Sequence, residues 1–297
     1  MFLNIQPLPN EHVFSWFVRG YFRSGSASFT NFQKQINLSA KKLYANQVFG
    51  SHFEAIFKLL GNRQKLISNH TTALLWQVSV GKLAMANSPA LDSFEHMNEQ
   101  QFFGYDTSWH ACQSCIEEDI ERFGTSYWHA SHQYPSVFTC YKHLKPLVIA
   151  KEPVKNIYSE LLPHNVAAWE YVVPEVKQEL EDWQSYLKEV INLCHNNPEL
   201  ITQIKPQIVK YFNVSKLKSK EQKLYCERLN LEFEQAIGNQ LLQYLFRDYG
   251  RENLRGKTNV FSILFFSQYK SNGVRNPIYW LVVAYWLKIT KQLDVLS

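Results

Sequence analysis

The chain has 297 residues, of which 45% are hydrophobic and 19% charged, which excludes a disordered chain and supplies enough apolar material for packed cores. Thirty-one Lys and Arg stand against 26 Asp and Glu, and the net +5 is spread unevenly: +4 over residues 1–100, −7 over 101–199 and +8 over 200–297. Basic blocks at both ends permit contact with nucleic acid, although solvated helix surfaces often carry the same charge. Five cysteines are too few for a disulfide scaffold, and Met1 to Pro9 has neither the basic start nor the apolar run of a signal peptide. The longest apolar stretch, Ile278 to Leu287, is about half of what a membrane span needs. A soluble cytoplasmic protein with no membrane partner is expected.

Short helices fill the first hundred residues. Asn10 can cap a helix in which Val13, Phe14, Phe17, Val18 and Tyr21 recur at helical spacing, ending near Gly25. Ser28 can cap the next, with Phe29, Phe32 and Ile36 on one face, and a longer helix with Phe49, Phe53, Ile56, Phe57 and Leu60 stops at Gly61. Helices joined by such turns fit a helix-turn-helix unit or any small bundle. Near Phe102 Cys, His and aromatics become dense, and Tyr127, Trp128, Val137, Phe138, Val148 and Ile149 read as short strands. Pro153, Pro163 and Pro174 punctuate a connection. From Gln178 the helical pattern returns, with Leu180, Trp183, Leu187, Val190 and Ile191 opposite acidic residues. Further helices are predicted near 199–213, 217–230, 231–247 and 253–269, and a last one over 277–293 with Pro277 in its first turn. Trp280, Tyr285 and Trp286 on that last helix are expected to be buried. The fold class is therefore mainly α with a small zinc-binding module that contains β-structure. Its parts are an amino-terminal helical part over 1–98, the module over 99–152 and a carboxy-terminal helical domain over 153–297.

Cys112 and Cys115 form a C-x2-C pair, and Cys140 and His143 a C-x2-H pair after 24 intervening residues. Each short turn offers two ligands to one centre, and the long excursion brings the second pair back to it. Three thiolates and an imidazole suit one Zn²⁺ best among common ions, and four protein ligands leave no position for a catalytic water. Cys194 and Cys226 lack such a partner and read as small core residues. His110, His129 and His132 are competing ligands in principle; for His129 and His132 packing and support of the ligands are expected.

Nothing in the chain offers catalysis. Phosphate-loop, G-x-S-x-G and H-E-x-x-H patterns are absent. The acidic run Glu117, Glu118, Asp119 and Glu121 reads as a solvated helix face, because Glu118 and Asp119 diverge from the face that Glu117 and Glu121 share. An enzyme is not expected.

The segment from Cys112-Gln-Ser-Cys115 through an acidic helix, Gly124, Tyr127-Trp128-His129, Ser131-His132-Gln133 and Pro135 to Cys140-Tyr-Lys-His143-Leu144 resembles the zinc-binding signature of the TniQ/TnsD family, the target-selection proteins of Tn-seven-like transposons. Gln113, Ser136 and Tyr141 stand where that family usually has Pro, Gly and Pro; none is a ligand, so the differences bear on turn geometry. Leu8-Pro9-Asn10-Glu11 with Ser15, Arg19 and Gly25 is similar to the family's opening pattern, and Asn69-His70-Thr71 to its H-T. Tyr249-Gly250-Arg251-Glu252-Asn253-Leu254 and Asn276-Pro277-Ile278-Tyr279-Trp280-Leu281 look like the TnsD branch.

The resemblance implies an adaptor without catalysis that marks an insertion site and recruits an AAA+ ATPase regulator of the TnsC type. The target is double-stranded attachment-site DNA in the TnsD type, or a guide-RNA CRISPR effector complex or the regulator's filament in the TniQ type. A bacterial cytoplasmic, nucleoid-associated location follows from that role, and a homodimer is compatible with it. DNA-reading members are typically longer, so the resemblance implies a naturally short or a truncated member. The alternative reading is a stand-alone zinc-dependent DNA-binding regulator. Candidate phosphate contacts are Lys210, Lys216, Lys218, Lys220 and Lys223, then Arg247, Arg251, Arg255 and Lys257, with a solvated loop or helix face as the alternative for Lys216 to Lys223. Arg19 and Arg23 are expected to form surface ion pairs.

Overall fold

A computed structural model describes residues 5–36, 51–80, 108–151, 161–173, 175, 177–246, 249, 259–265 and 276–296. Contacts gather the described residues within Met1–Ala73 and Thr107–Val176 into one compact unit, and those within Leu74–Asp106 and Lys177–Ser297 into a second. Among the described residues the chain is mainly helical, as expected, and no helix is long and apolar enough to cross a membrane.

The first unit opens with helix α1 (Val13–Ser24), which buries Phe14, Trp16, Phe17 and Val18 and ends on Gly25 in the left-handed region, φ 68°. His12 caps it in place of Asn10: its Nδ1 accepts from the Phe14 amide at 3.2 Å. Asn10 lies two residues too early, with φ 58°, and is engaged elsewhere. Helix α2 (Phe29–Gln35) is capped by Ser28 Oγ, and its Phe29 and Phe32 rings pack on Phe17 and Tyr21 of α1. Helix α3 (Ser51–Leu60) stops at Gly61 as predicted, and α4 (Arg63–His70) follows. Phe49 lies outside the described residues.

Strand structure is sparser than predicted. Strands β1 (His110–Ala111), β2 (Val148–Ala150) and β3 (Trp169–Tyr171) form an antiparallel sheet in that order, with His110 opposite Ile149 and Ile149 opposite Glu170. Val148 and Ile149 are thus strand residues. Tyr127 and Trp128 belong to no ladder, and His132 lies in a 3₁₀ turn, Ala130–His132, because backbone groups of this stretch pair with the amino-terminal segment instead: the His12 amide donates to Trp128 O and the Ala130 amide to Asn10 O. Val137 and Phe138 lead into an isolated bridge between Thr139 and Pro146. Between β1 and these turns runs α6 (Gln113–Phe123), ended by Gly124 at φ 70°.

The second unit is helical: α5 (Gln77–Val80), α7 (Gln178–Asn196), α8 (Pro198–Phe212), α9 (Ser219–Ile237), α10 (Asn239–Leu245), α11 (Val260–Phe265) and α12 (Pro277–Lys291). Helix α12 is buried on every side from Pro277 to Leu287, including Trp280, Tyr285 and Trp286 as expected, and it packs on α5, α8, α9 and α11. Trp286 sits among Phe212, Phe233 and Phe261, with ring centroids 5.5–6.1 Å away. The break expected at residue 230 is absent. Asn230 is buried, accepts from the Val260 amide at 2.9 Å and donates to Glu234, so α9 runs on to Gly238. Cys194 in α7 and Cys226 in α9 are buried core residues.

Candidate metal centre

Cys112 is extended and caps α6 at its amino end, so Cys115 in the helix's first turn points back toward it. The second pair sits on a tight turn: Leu144 donates its amide to Cys140 O at 2.8 Å, Cys140 to Lys145 O at 2.8 Å, and Leu147 to Phe138 O at 2.7 Å. Leu144 takes φ 54° to close it. The three Sγ atoms and His143 Nδ1 all lie within 4.8 Å of one another, and the three cysteines are buried.

The donor spacing can be compared with what an ion requires. Tetrahedral Zn–S bonds of about 2.3 Å and a Zn–N bond of about 2.0 Å set S···S near about 3.8 Å and S···N near about 3.6 Å. Cys115 Sγ is 3.8 Å from Cys140 Sγ, and His143 Nδ1 is 3.3, 3.5 and 3.7 Å from the sulfurs of Cys115, Cys112 and Cys140. These four residues therefore fit a tetrahedral cation. Their protonation argues the same way. Hydrogen bonds from the Cys115 and Cys140 thiols pull Cys112 toward the thiolate, and that sharing pushes Cys115 and Cys140 up. A bound cation would relieve this competition and allow all three to ionise.

Glu118 and Asp119 lie one turn beyond Cys115: Glu118 is exposed, as expected of the acidic run, but also reaches the site, whereas Asp119 is buried, which corrects the solvated reading for that residue. Glu118 Oε1 accepts from His143 Nε2 at 2.9 Å, which leaves Nδ1 free for the ion, the usual carboxylate–histidine arrangement of metal sites. The bond to Glu118 raises the His143 pKa, while Lys142, then His143, lower that of Glu118. Asp119 is buried and accepts from His129 Nε2 at 2.8 Å. His132, also buried, has Nε2 4.0 Å from Cys115 Sγ, and burial, then the neighbouring His129, hold its pKa well below the usual value. His110 lies on β1 and is not among the four clustered donors. The signal for Glu118 and Asp119 was present as spacing: positions three and four beyond a ligand share its helix face.

The opening motif is the other half of this assembly. Glu11 is fully buried and paired with Arg19 through two bonds, Nε to Oε1 at 2.9 Å and Nη2 to Oε2 at 2.7 Å. Arg19 is thus a core residue instead of a surface ion pair, whereas Arg23 is exposed. Burial pushes the Glu11 carboxyl up and Arg19 draws it back down. Ser15 Oγ accepts from the Trp128 amide at 2.9 Å, and His70 Nδ1 lies 2.7 Å from Glu11 O.

The proposed phosphate contacts are separate from this centre. Lys210 ends α8, Lys216 lies in the following 3₁₀ turn, and Lys218, Lys220 and Lys223 open α9; all five are exposed, with Tyr211 half exposed beside them. Lys223 is 4.0 Å from Glu227. Arg247, Arg251, Arg255 and Lys257 lie outside the described residues.

Fold and site together define a mainly helical protein built around a Cys3His cluster that could hold a metal. The TniQ family model matches residues 2–147, a span that runs from the opening motif through all four donors, so this part of the chain is similar to the TniQ family. None of the curated proteins compared with the chain matches it.

Proposed function

We propose that this chain is a non-catalytic target-selection adaptor in Tn-seven-like DNA transposition, which engages a target and recruits an AAA+ ATPase regulator to it. The observation that carries the reading is the coincidence of the TniQ match with the complete Cys3His donor set. In this reading the ion is one Zn²⁺ with a structural role. Its ligands Cys112, Cys115, Cys140 and His143 fold a module too small to hold itself together, since metal-binding free energy becomes folding free energy. With every tetrahedral position filled by protein, the ion has no place for a reactive water. The α1–turn–α2 pair would serve as the helix-turn-helix-like element.

The second unit supplies a basic corner for DNA. Lys210, Lys216, Lys218, Lys220 and Lys223 would meet phosphates, joined in this reading by Arg247, Arg251, Arg255 and Lys257, which favours a TnsD-type reader of DNA over an adaptor on a CRISPR effector complex. Nine such contacts give log K a slope of about −8 against log salt, of which the five lysines supply about −4.5. The test has two readouts. The Zn²⁺-loaded protein should retain the ATPase encoded beside it in the presence of nucleotide and DNA, and should footprint a discrete site across a salt series. Loss of ATPase retention under every condition would overturn the adaptor. A footprint that fades with salt and shows no preferred sequence would move targeting to a CRISPR effector or a filament of the regulator.

A further inference from the structure

Helix α6 carries two things at once: the ligand Cys115 in its first turn and, one turn on, the buried Asp119 that holds His129. His129 stands at a junction. Its Nε2 donates to Asp119, which leaves Nδ1 to accept from the Asn10 side-chain amide at 3.4 Å. Its ring stacks on Tyr127 at 4.5 Å and on His132 at 5.0 Å, and His132 touches the Cys115 sulfur.

Asn10 is held from several directions. Its amide donates to Ser131 Oγ at 2.5 Å, its Oδ1 accepts from the Ser131 amide at 3.2 Å, and its carbonyl accepts from the Ala130 amide at 2.7 Å. The next links hold the segment that leads into α1, where the His12 cap amide donates to Trp128 O at 2.8 Å and Tyr127 OH to Pro9 O at 3.0 Å. Asn10 sits in the left-handed region that these bonds stabilise. Two of the partners of His129 thus lead to Cys115: Asp119 shares its helix, and His132 contacts its sulfur.

We infer that Asp119, His129 and Asn10 are positioning residues that couple the metal centre to the amino end of α1, so that α1 is seated when the centre is filled and released when it empties. The inference rests on the metal reading of the Cys3His cluster, which the experiment scores separately. Amide exchange is followed by mass spectrometry over residues 10–17 in the full chain, loaded with Zn²⁺ and after chelation, with metal content measured on each sample. In the wild type, removal should speed exchange there at least tenfold. Asn10→Ala lies outside the ligand turns and should keep one equivalent of Zn²⁺, yet exchange quickly in both states. Asp119→Asn keeps an acceptor for His129 Nε2 and should restore most of the wild-type difference. Ser28→Ala, which weakens the cap of α2 without touching these bonds, should retain the difference in full. A metal-loaded wild type whose residues 10–17 ignore chelation would overturn the coupling. So would Asn10→Ala keeping the full difference, or Ser28→Ala losing as much of it as Asn10→Ala does. A chain that takes up no Zn²⁺ would remove the site and the coupling together.

Discussion

The two units of this chain are held together by different physics. Around the metal centre the interior is polar: Glu11, His12, Arg19, Asp119, His132 and Gln133 are all buried, and each is fixed by geometry that a neighbour must supply. The second unit buries a helix that is apolar all round, with Trp286 and three phenylalanines at its centre, and its buried polar groups are fewer. Apolar burial is non-directional and tolerates small shifts, whereas a buried polar network is stable only when complete. The first unit should therefore be conditional on its ion and on pH, and the second should not.

Metal removal is the largest way to break this contrast. A structural Zn²⁺ is worth about 10–16 kcal/mol at neutral pH. Chelation, or Cys140→Ser, should abolish protection in residues 108–151 while the helical signal of α7 to α12 persists, as amide exchange and circular dichroism would show. Equal loss in both units would refute the contrast. Two substitutions of matched size sharpen it. Trp286→Ala should cost about 3–5 kcal/mol through the cavity it leaves. Arg19→Met should cost about 3–5 kcal/mol because it strands the buried Glu11 carboxylate, and adding Glu11→Gln should recover most of that loss. Calorimetry should assign the first effect to α7–α12 and the second to the metal-bearing unit.

How much of this was legible in the sequence follows the same division. Helices of the second unit show in the period of their apolar residues, and backbone chemistry alone marks boundaries in both units: Pro277 at the start of α12 and Gly25 at the end of α1. The four metal donors are legible because two short spacings converge on one ion. What the sequence hides is the partner of each buried polar group. The helix boundary predicted after residue 230 gives no hint that Asn230 is buried and accepts from Val260, and Asp119 looks solvated until His129 is seen donating to it. Arg19 and Asn10 were misplaced for the same reason: their partners lie at Glu11, and at His129 and Ser131, positions that periodicity does not connect to them.

Acid should separate the units next. Burial, followed by the charge of His70, lowers the His12 pKa to about 3 from 6.5, and burial lowers His70 as well. Between those values the unfolded chain binds protons that folded His12 refuses, so stability rises with pH across the window. His12 thus contributes in full above about 6.5 and its contribution is lost as pH falls toward 3. Glu11 works in the opposite sense, its raised pKa favouring the fold at low pH. His12→Asn keeps an acceptor for the Phe14 amide, so it should flatten the pH dependence of unfolding below 6.5 while the pH at which Zn²⁺ is released stays put. An unchanged slope would show that thiolate protonation alone governs acid lability.

The smallest effect tests backbone strain inside the polar unit. Ser136 has φ 62°, at a position where the family signature usually carries glycine. A left-handed conformation costs a side-chain-bearing residue about 1–2 kcal/mol, which glycine escapes. Glycine also gives the unfolded chain more freedom, a penalty of about 0.5–1 kcal/mol. Ser136→Gly should therefore stabilise the metal-bearing unit by about 0.5–1 kcal/mol, read as a rise in its denaturant midpoint at constant slope with no change in the second unit. A fall in that midpoint would mean that contacts made by the Ser136 side chain outweigh the strain, and that this chain replaced the glycine with a polar tie of the kind that holds the rest of the unit.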